Sequence, residues 1–391
     1  MTGPSPLPVH HHVCMQRRGG AAKAAMLLFD ALKERGAACS WSYEIAEPPA
    51  PPGREPGLQL APGDLASAPE GVFHLHATAG HFEALRALAK RPGGPDGPGK
   101  LAVTAHDCSW LTGGCVFPMD CEGFSLGCDP CPRGFPDAAA ERKARREALA
   151  ALSPSLIAPS AWMAGLLREA FPGLPVTVVE NGVLLPPRLP ARARAKAVLG
   201  LAPGAPTALF LAHGGVRAQY KGGESFPDIW AGIKRLVPEA AGLIAGGQEH
   251  GRRGDLLYFP YLEGEALARL YAAADVLVYP SLADNHPLAV LEAMAHGLPV
   301  AAYAVGGVPE QLPDERFGLL AAPGEPGQLV TLAARLLTTP ALARSMARES
   351  LARCRDLFQA ARMAADCLRV YRSLGAAQRT KKTDDRQAGL C

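Results

Sequence analysis

Two carboxylate side chains, Asp284 and Glu292, lie eight positions apart around the predicted start of a helix. Pro287 suits the first turn of such a helix, and Gly297 is typical of its end. An apolar run over residues 276–279 predicts a strand just before this segment. Carboxylates repel phosphates, but they accept hydrogen bonds from the hydroxyl groups of a ribose or a sugar. The pair is therefore suited to a ligand that carries several hydroxyl groups.

The start of the same helix predicts an anion site. Leu288 and Ala289 lie in its first turn, where backbone N–H groups lack intrahelical acceptors and the helix dipole favours negative charge. A phosphate site beside carboxylates that bind hydroxyl groups indicates a nucleotide-sugar as the ligand.

Short apolar runs alternate with helical stretches along the whole chain, which is typical of an α/β doubly wound architecture. Most of the runs lack strict alternation of apolar and polar residues, as expected for parallel strands that are covered on both faces. The predicted strands are 7–15, 71–76, 101–106, 156–159, 176–180, 207–212, 241–246, 276–279 and 300–303. The predicted helices are 21–35, 81–91, 138–152, 162–171, 224–236, 265–273 and 288–295, with terminal helices over 341–374.

The pattern of strands and helices occurs twice, which predicts two domains. The segment between the two sets, 183–205, is rich in proline and arginine, shows no strand signal and is interpreted as a junction. We expect an N-terminal domain over 1–185 and a C-terminal domain over 186–350. A terminal helix, 351–374, is expected to pack back toward the N-terminal domain, and the polar tail 375–391 is expected to be disordered.

The segment from Asp284 to Val300 resembles the donor-binding signature of family-4 (group 1) glycosyltransferases, which have the GT-B fold. That signature is E-x7-E within a stretch E-A-M-A-x-G-x-P-V. Here it is Asp284-x7-Glu292 followed by Ala-Met-Ala-His-Gly-Leu-Pro-Val300, with aspartate in place of the first glutamate. The resemblance covers residues 8–372. It implies two Rossmann-like doubly wound parallel-sheet domains facing a cleft, with the donor held mostly by the second domain and the acceptor by the first.

The resemblance also implies a reaction. A sugar moves from a UDP- or GDP-sugar to a glycan or lipid-linked acceptor, with retention of anomeric configuration and without a metal or other cofactor in catalysis. Glu292 is expected to hold ribose hydroxyls and Asp284 sugar hydroxyls, while the helix start at Leu288 and Ala289 binds the diphosphate. Surface polysaccharide or glycoconjugate assembly is the implied setting.

Further residues match the family and take their expected roles from it. Lys221 and Arg217 match a basic pair that clamps the donor diphosphate and stabilises the charge of the leaving group. His106 ends a predicted strand and matches a histidine that faces the donor sugar. Gly19 and Gly20 open a helix after the first strand, where backbone can approach a phosphate. The alternatives are solvated loop charges for the two cations and a core position for the histidine.

A cysteine cluster follows the His106 segment, and five of the ten cysteines lie between Cys108 and Cys131. Four follow the spacing C-x5-C-x6-C-x2-C: Cys115, Cys121, Cys128 and Cys131. Four thiolates can close a tetrahedral zinc site, although this is not the spacing of a standard zinc ribbon. A similar cysteine-rich insertion occurs in the colanic-acid-type members of the family, which this chain resembles. Structural zinc, free thiols that shape an acceptor loop and a redox role all stay open.

Two other patterns invite a ligand assignment. His10, His11 and His12 lie in the first predicted strand, but alternate side chains of a strand face opposite sides. At most two of them can converge, which favours a structural role. The segment 94–100 matches only the first part of a P-loop and precedes a strand rather than a helix, so we interpret it as a connection.

Composition bounds the class of protein. The 391 residues are 48% hydrophobic and 20% charged with a net charge of +3, which is typical of a globular protein and not of a nucleic-acid binder. No run of about 18 apolar residues predicts a membrane-spanning helix, and the N-terminus lacks the apolar core of a signal peptide. We therefore expect a cytoplasmic protein.

Three questions stay open at this level. The basic stretch 141–146 is either a contact with the inner face of the membrane or a solvated helix face. The chain is an enzyme, or it is a catalytically inactive GT-B binding module. A Rossmann-type nucleotide-dependent oxidoreductase is a third class, but the G-x-G-x-x-G sequence that it needs is absent.

Overall fold

The protein forms two compact units. The computed structural model describes residues 8–47, 57–91, 100–217 and 220–388, so residues 94–99 of the P-loop-like segment lie outside the described residues. Met1–Gly182 with Ala360–Cys391 form the N-terminal unit, and Val183–Gln359 form the central unit. The chain therefore leaves the first unit after Gly182 and returns to it at Ala360.

One parallel sheet organises the N-terminal unit. Its strands are β1 (Val9–Met15), β2 (Cys39–Ile45), β3 (Leu58–Gln59), β4 (Val72–Leu75), β5 (Leu101–Thr104), β6 (Ser155–Ala158) and β7 (Val176–Val178). Its helices are α1 (Gly20–Glu34), α2 (His81–Ala89), α3 (Glu122–Ser125), α4 (Ala138–Ala151), α5 (Ala161–Ala170) and, after the central unit, α13 (Ala360–Ala388). The strand order is β3-β2-β1-β4-β5-β6-β7 with parallel pairing throughout. The order reverses between β1 and β4, and ligands bind beyond the carboxyl ends of strands at such a point.

The helix α13 completes the core of the N-terminal unit. Val9, Val72 and Ile157 of the sheet belong to one buried cluster with Leu32 of α1 and Ala364 of α13. Burial of these apolar side chains holds the last helix of the chain against the sheet of the N-terminal unit.

The polar tail differs from expectation. α13 continues to Ala388, so the backbone of 375–388 is helical where disorder is expected; 389–391 lie outside the described residues, and disorder of the tail stays a prediction. Alanine, glutamine, arginine and lysine are good helix formers, so a polar composition does not by itself prevent a helix.

A second sheet organises the central unit. Its strands are β8 (Thr207–Leu211), β9 (Ala241–Gly247), β10 (Gly251–Arg253), β11 (Leu256–Pro260), β12 (Val276–Tyr279), β13 (Val300–Tyr303) and β14 (Leu319–Ala321). Its helices are α6 (Arg192–Val198), α7 (Phe226–Leu236), α8 (Gly264–Ala273), α9 (Leu288–Ala295), α10 (Val308–Gln311), α11 (Pro326–Thr338) and α12 (Pro340–Leu357). The strand order is β10-β11-β9-β8-β12-β13-β14, and only the edge pair β10–β11 is antiparallel among the described strands. The predicted fold class, α/β with two doubly wound parallel sheets, is confirmed.

The segment interpreted as a junction contains the helix α6, which a buried ion pair ties to the sheet. Lys196 is 2% exposed, and its ammonium donates to a carboxylate oxygen of Asp275 (2.6 Å) and to the carbonyl of Ala205 (2.6 Å). Asp275 also accepts the backbone N–H of Thr207, at the start of β8 (2.9 Å), and a hydrogen bond from the half-exposed Arg192 (2.9 Å). One carboxylate therefore joins α6 to two strands.

Replacing Lys196 by methionine should lower the free energy of unfolding by about 3 kcal/mol, because it leaves the Asp275 carboxylate without its buried cation. Arg192→Met is the matched control: its side chain is 47% exposed, so its loss should cost no more than about 1 kcal/mol. Urea denaturation at neutral pH measures both. Equal losses in the two variants would show that burial of the pair is unimportant.

Candidate functional site

Two loops of the central unit meet at the carboxyl end of β12. Gly222 has a φ of 76°, and a Cβ atom there would lie 2.1 Å from the carbonyl oxygen of Pro280, so only glycine permits this approach. The backbone N–H of Leu282 donates to the carbonyl of Tyr220 (2.7 Å). These contacts hold Lys221 beside the segment that leads into α9.

The carboxylate of Asp284 is the centre of a hydrogen-bond network, and the residue is 8% exposed. One oxygen accepts from the Lys221 ammonium and the Tyr279 hydroxyl, and the other accepts from the backbone N–H of Asn285 (2.9 Å). Burial by itself would lower the pKa of Lys221, but the combined effect of Asp284, Tyr279 and Tyr220 outweighs it and raises that pKa above its ordinary value. Burial, reinforced by Asp284, also raises the pKa of Tyr279. Near neutral pH, Lys221 is therefore a cation and Tyr279 a neutral donor.

Glu292 lies on α9 and is oriented by a buried tyrosine. The hydroxyl of Tyr271 donates to one carboxylate oxygen of Glu292 (2.8 Å), and burial followed by this carboxylate raises the pKa of Tyr271 well above its ordinary value. The Tyr271 ring stacks on His296, with 4.9 Å between ring centroids. The second carboxylate that the sequence predicts for a hydroxyl-bearing ligand is thus held by its own supporting side chains.

The start of α9 lies between these two carboxylates in the chain. Leu288 and Ala289 form its first turn, and the N-cap residue Pro287 provides no side-chain acceptor. The N–H groups of a first helical turn lack intrahelical partners. Arg217 is exposed at the end of a 3₁₀ turn after β8, the strand that pairs with β12. The four predicted residues of the β12–α9 segment therefore follow the end of β12, and the two predicted cations, Lys221 and Arg217, lie on the loop after the neighbouring strand β8.

His106 lies in the N-terminal unit, two residues after the end of β5. It lines a cavity of about 320 Å³ together with His76, His81, Asp107 and Cys115. Its Nε2 is 3.1 Å from Nδ1 of His76. Burial lowers the pKa of His106 to about 4, so the imidazole is neutral at pH 7 and offers one donor and one acceptor.

A carboxylate already occupies part of the glycine loop after β1. The backbone N–H groups of Arg17 and Arg18 both donate to Oε2 of Glu47 (2.8 Å each). Gly19 has a φ of 93° at the N-cap of α1, and a Cβ atom at Gly19 or Gly20 would meet nothing within 4 Å. The positive φ explains why residue 19 is a glycine. At residue 20, no neighbouring atom lies close enough to exclude a side chain.

The four clustered cysteines line one small cavity but do not converge as zinc ligands. Cys115, Cys121, Cys128 and Cys131 all border a space of about 10 Å³. Among the described residues, no three of their sulfur atoms lie within 4.8 Å of one another. Four thiolates on one zinc ion would lie closer than that, about 3.8 Å apart. The arrangement seen does not fit the ion, and structural zinc stays a prediction.

The three consecutive histidines divide between the two faces of β1, as strand geometry requires. His10 and His12 each contact the hydroxyl of Ser42 (2.8 Å). His11 faces the other side, where its Nδ1 is 3.0 Å from Nε2 of His76.

Three residues of these sites are missing from the sequence-based predictions: Tyr279, Tyr271 and Glu47. Tyr279 is the last residue of a predicted strand, so its position at the strand's carboxyl end was a usable signal. Tyr271 is on α8 and Glu47 follows β2, both far in sequence from the groups that they contact. No pattern of neighbouring residues in the sequence predicts contacts between residues so far apart in the chain.

Comparisons with known proteins bear on the family and on the fold. Residues 207–339, which lie in the central unit, match the family described as glycosyl transferases group 1. A D-inositol 3-phosphate glycosyltransferase of Mycolicibacterium gilvum is 33% identical over 182 residues, which are 42% of this chain and 39% of that protein. The sulfoquinovosyl transferase SQD2 of Arabidopsis thaliana is 42% identical over 79 residues, 19% of this chain and 16% of that protein. The chain thus spans less than half the length of these two relatives.

Solved structures establish the fold over nearly the whole chain. Sucrose-phosphate synthase from Thermosynechococcus elongatus has a TM-score of 0.71 at 20% identity, covering 95% of this chain and 99% of that chain. Anabaena HepE in complex with UDP-glucose has a TM-score of 0.67 at 16% identity, covering 94% and 100%. WaaG, a glycosyltransferase of lipopolysaccharide biosynthesis, has a TM-score of 0.66 at 17% identity, covering 92% and 99%. The fold is that of the GT-B glycosyltransferases, as the resemblance predicts.

Replacing Tyr279 by phenylalanine should lower the free energy of unfolding by about 2 kcal/mol, because a buried carboxylate loses a donor. Tyr258→Phe, on β11, removes a hydroxyl from a half-buried ring and should change stability by no more than about 0.5 kcal/mol. Urea denaturation of both variants at pH 7 provides the comparison. An unchanged Tyr279→Phe protein would mean that Asp284 does not need this donor.

Proposed function

We propose that the protein is a retaining glycosyltransferase of the family-4 type that transfers a sugar from a nucleoside-diphosphate sugar to a glycan or lipid-linked acceptor. The observation that carries the proposal is the network of Lys221, Tyr279 and Asp284 at the end of β12. It lies at the start of a helix that bears Glu292, within the segment that matches the group 1 glycosyl transferases. A cation, a helix start and two oriented carboxylates are the groups that a diphosphate bearing two sugars requires.

The donor is expected to lie over the carboxyl end of β12. Lys221 and the first-turn amides of Leu288 and Ala289 bind the diphosphate, and Arg217 reaches it from the loop after β8. As the bond between the anomeric carbon and the diphosphate oxygen breaks, negative charge grows on that oxygen, and donors already in place stabilise it. Lys221 suits this role because Asp284 keeps it protonated at any physiological pH.

The two carboxylates accept hydrogen bonds from different hydroxyl groups of the donor. Glu292, with one oxygen held by Tyr271, accepts from the ribose. Asp284 accepts from the sugar, although in this structure both of its oxygens are engaged by protein donors. An ammonium has three N–H groups, so Lys221 can keep Asp284 while donating to a phosphate. Aspartate has a shorter side chain than the glutamate of the family signature, and its carboxylate accepts a hydrogen bond from Lys221. Recognition of the sugar therefore depends on the position of this cation.

The acceptor is assigned to the N-terminal unit, near His106 and the cysteine-rich segment. A neutral imidazole in a 320 Å³ cavity can orient a hydroxyl group without competing for a phosphate. The acceptor hydroxyl forms the new bond to the anomeric carbon and its proton leaves with the diphosphate, so the reaction balances without a redox partner. No cofactor is assigned to catalysis.

A UDP-sugar is the first donor to test, because HepE, which shares the fold, is known in complex with UDP-glucose. A GDP-sugar stays a candidate. Surface polysaccharide or glycoconjugate assembly is the proposed setting, and a colanic-acid-type relationship rests on the cysteine insertion alone.

Peripheral contact with a membrane is part of the proposal. Arg142, Lys143 and Arg146 of α4 line an open cavity of about 820 Å³, a cationic surface that suits anionic headgroups. Among the described residues, no helix combines the length and the apolar composition that crossing a bilayer requires. The inner face of the cytoplasmic membrane is the expected location.

Thermal shift against UDP, GDP, ADP, TDP, CMP and NAD tests the donor site. A bound nucleotide at 100 times its dissociation constant adds about 2.7 kcal/mol to the folded state. One nucleoside diphosphate should raise the midpoint, and Glu292→Gln should weaken its binding at least about tenfold through a lost charged hydrogen bond. Glu265→Gln, whose side chain is 91% exposed on α8, should bind as the wild type does.

The other outcomes separate the competing functions. A shift with NAD alone would favour the oxidoreductase, although Glu47 holds the amides of the loop after β1. Failure of every nucleotide would favour an inactive binding module.

Lys221→Met should reduce kcat/KM for sugar transfer by about 10²–10³-fold, because the leaving diphosphate loses its cation. Arg235→Met, an exposed arginine on α7, is the control and should retain full activity. Release of nucleoside diphosphate in the presence of acceptor is the assay. If Lys221→Met keeps activity to within about threefold, the role assigned to this cation is wrong.

A further inference from the structure

Three histidines that the proposed reaction does not use converge on one face of the N-terminal sheet. β1 and β4 pair in parallel with His11 opposite His74, and His76 lies two residues further along the same chain. Alternate residues of a strand face the same side, so His74 and His76 both lie on the side that His11 occupies. One ring nitrogen from each of the three lies within 4.8 Å of the others. A His-x-His pair at the end of β4, whose second histidine follows the last strand residue, and a third histidine from β1 therefore place three ring nitrogens close together.

Imidazoles that share one zinc ion have ring centroids about 5 Å apart, so His11 already has this spacing from both other rings, whereas His74 and His76 would have to move apart. The ring centroid of His11 is 5.3 Å from those of His74 and His76, and the latter two are 3.9 Å apart. Nδ1 of His11 and Nε2 of His76 are 3.0 Å apart. Two nitrogens bound to one zinc ion at tetrahedral angles are separated by about 3.4 Å. To bind a shared ion, these two nitrogens would move a few tenths of an ångström apart, the rings would rotate so that both lone pairs point at the ion, and the proton between them would leave.

In two of the rings, a neighbouring side chain contacts the nitrogen that would not bind the ion. Nδ1 of His74 is 2.6 Å from the hydroxyl of Tyr371, and Nδ1 of His76 is 3.1 Å from Nε2 of His106. Metal-ligating imidazoles are oriented in this way, by a partner on the nitrogen that does not bind the ion. The hydroxyl of Thr104, now 2.7 Å from Nε2 of His74, would have to turn away when an ion binds.

One ring nitrogen of this histidine cluster lacks a hydrogen-bond partner among the described residues. His11 is 1% exposed, and among the described residues its Nε2 has no hydrogen-bond partner. Buried polar atoms in folded proteins nearly always have one. Because Nδ1 is the atom that faces His76, the open Nε2 would not be a ligand, and the protein's hydrogen bonds hold the His11 ring on one side only.

We propose that His11, His74 and His76 form a binding site for a late first-row divalent metal ion, with Zn²⁺ as the first candidate. Imidazole nitrogen suits zinc, cobalt, nickel and copper, whereas magnesium and calcium prefer oxygen ligands. Three histidines leave one position of a four-coordinate ion open, and a water molecule or an anion would occupy it. The ion would link β1 and β4, the two strands between which the strand order reverses. It would also fix the ring of His76, which contacts His106. The site is separate from the four cysteines and does not depend on the proposed transferase activity.

Cobalt titration of the full chain, stripped of metal with a chelator, tests the proposal. We expect one Co²⁺ per chain with visible bands of a four-coordinate nitrogen and oxygen site, and without a thiolate-to-cobalt charge-transfer band. X-ray absorption of the zinc form should show nitrogen and oxygen neighbours only. Absence of an ion bound with a dissociation constant of about 1 µM or tighter would overturn the proposal.

Variants identify the ligands. His11→Asn and His74→Gln should each weaken binding by about 100-fold or more. His12→Gln, which removes an imidazole from the opposite face of the same strand, and the double variant Cys128→Ser with Cys131→Ser should both retain the ion. Circular dichroism checks that each variant is folded. Retention of the ion by both His11→Asn and His74→Gln, or its loss with the cysteines, would place the metal elsewhere and overturn the assignment.

Discussion

A carboxylate that is almost fully buried must find donors, and Asp284 finds three in different parts of the central unit. The ammonium of Lys221 comes from the loop after β8, the hydroxyl of Tyr279 from the end of β12, and the N–H of Asn285 from the segment before α9. An unpaired carboxylate here would be strongly destabilising, so the three segments are held together by the need to satisfy one charge. The proposed donor site is the surface that this constraint creates. Its cation stays protonated for the same reason, because the carboxylate raises the pKa of Lys221.

The N-terminal unit satisfies its buried polar groups with neutral histidines instead. Burial lowers the pKa of His11 to about 3 and of His106 to about 4, and it lowers those of His74 and His76 well below the ordinary value. These rings therefore interact through single hydrogen bonds and lone pairs rather than through charge. The two units thus present different chemistry at their strand ends: paired charges in one, and neutral imidazoles beside a cavity in the other.

Much of the architecture was predictable because the relevant signals are local. Apolar runs such as 276–279 and 300–303 match β12 and β13, and the proline and glycine signals match the bounds of α9. β2, with the sequence CSWSYEI, was missed because its half-buried residues include serines and a glutamate and form no apolar run. α6 was missed because proline and arginine around it suggested a linker, whereas a buried ion pair makes it part of the core.

The sequence by itself determined the fold class, the segment of the proposed donor site and the placement of Asp284, Glu292, Leu288 and Ala289 around one helix start. Each of these follows from periodicity, helix signals or a contiguous signature, which are properties of adjacent residues. Only the tertiary structure decided that Lys221 meets Asp284 across 63 positions, that Tyr271 supports Glu292 from another helix, and that His11 joins His74 and His76. It also decided that the four cysteines do not converge to zinc distances. The reason is physical: the pairing of strands and the packing of loops bring distant residues together, and no spacing along the chain records that distance.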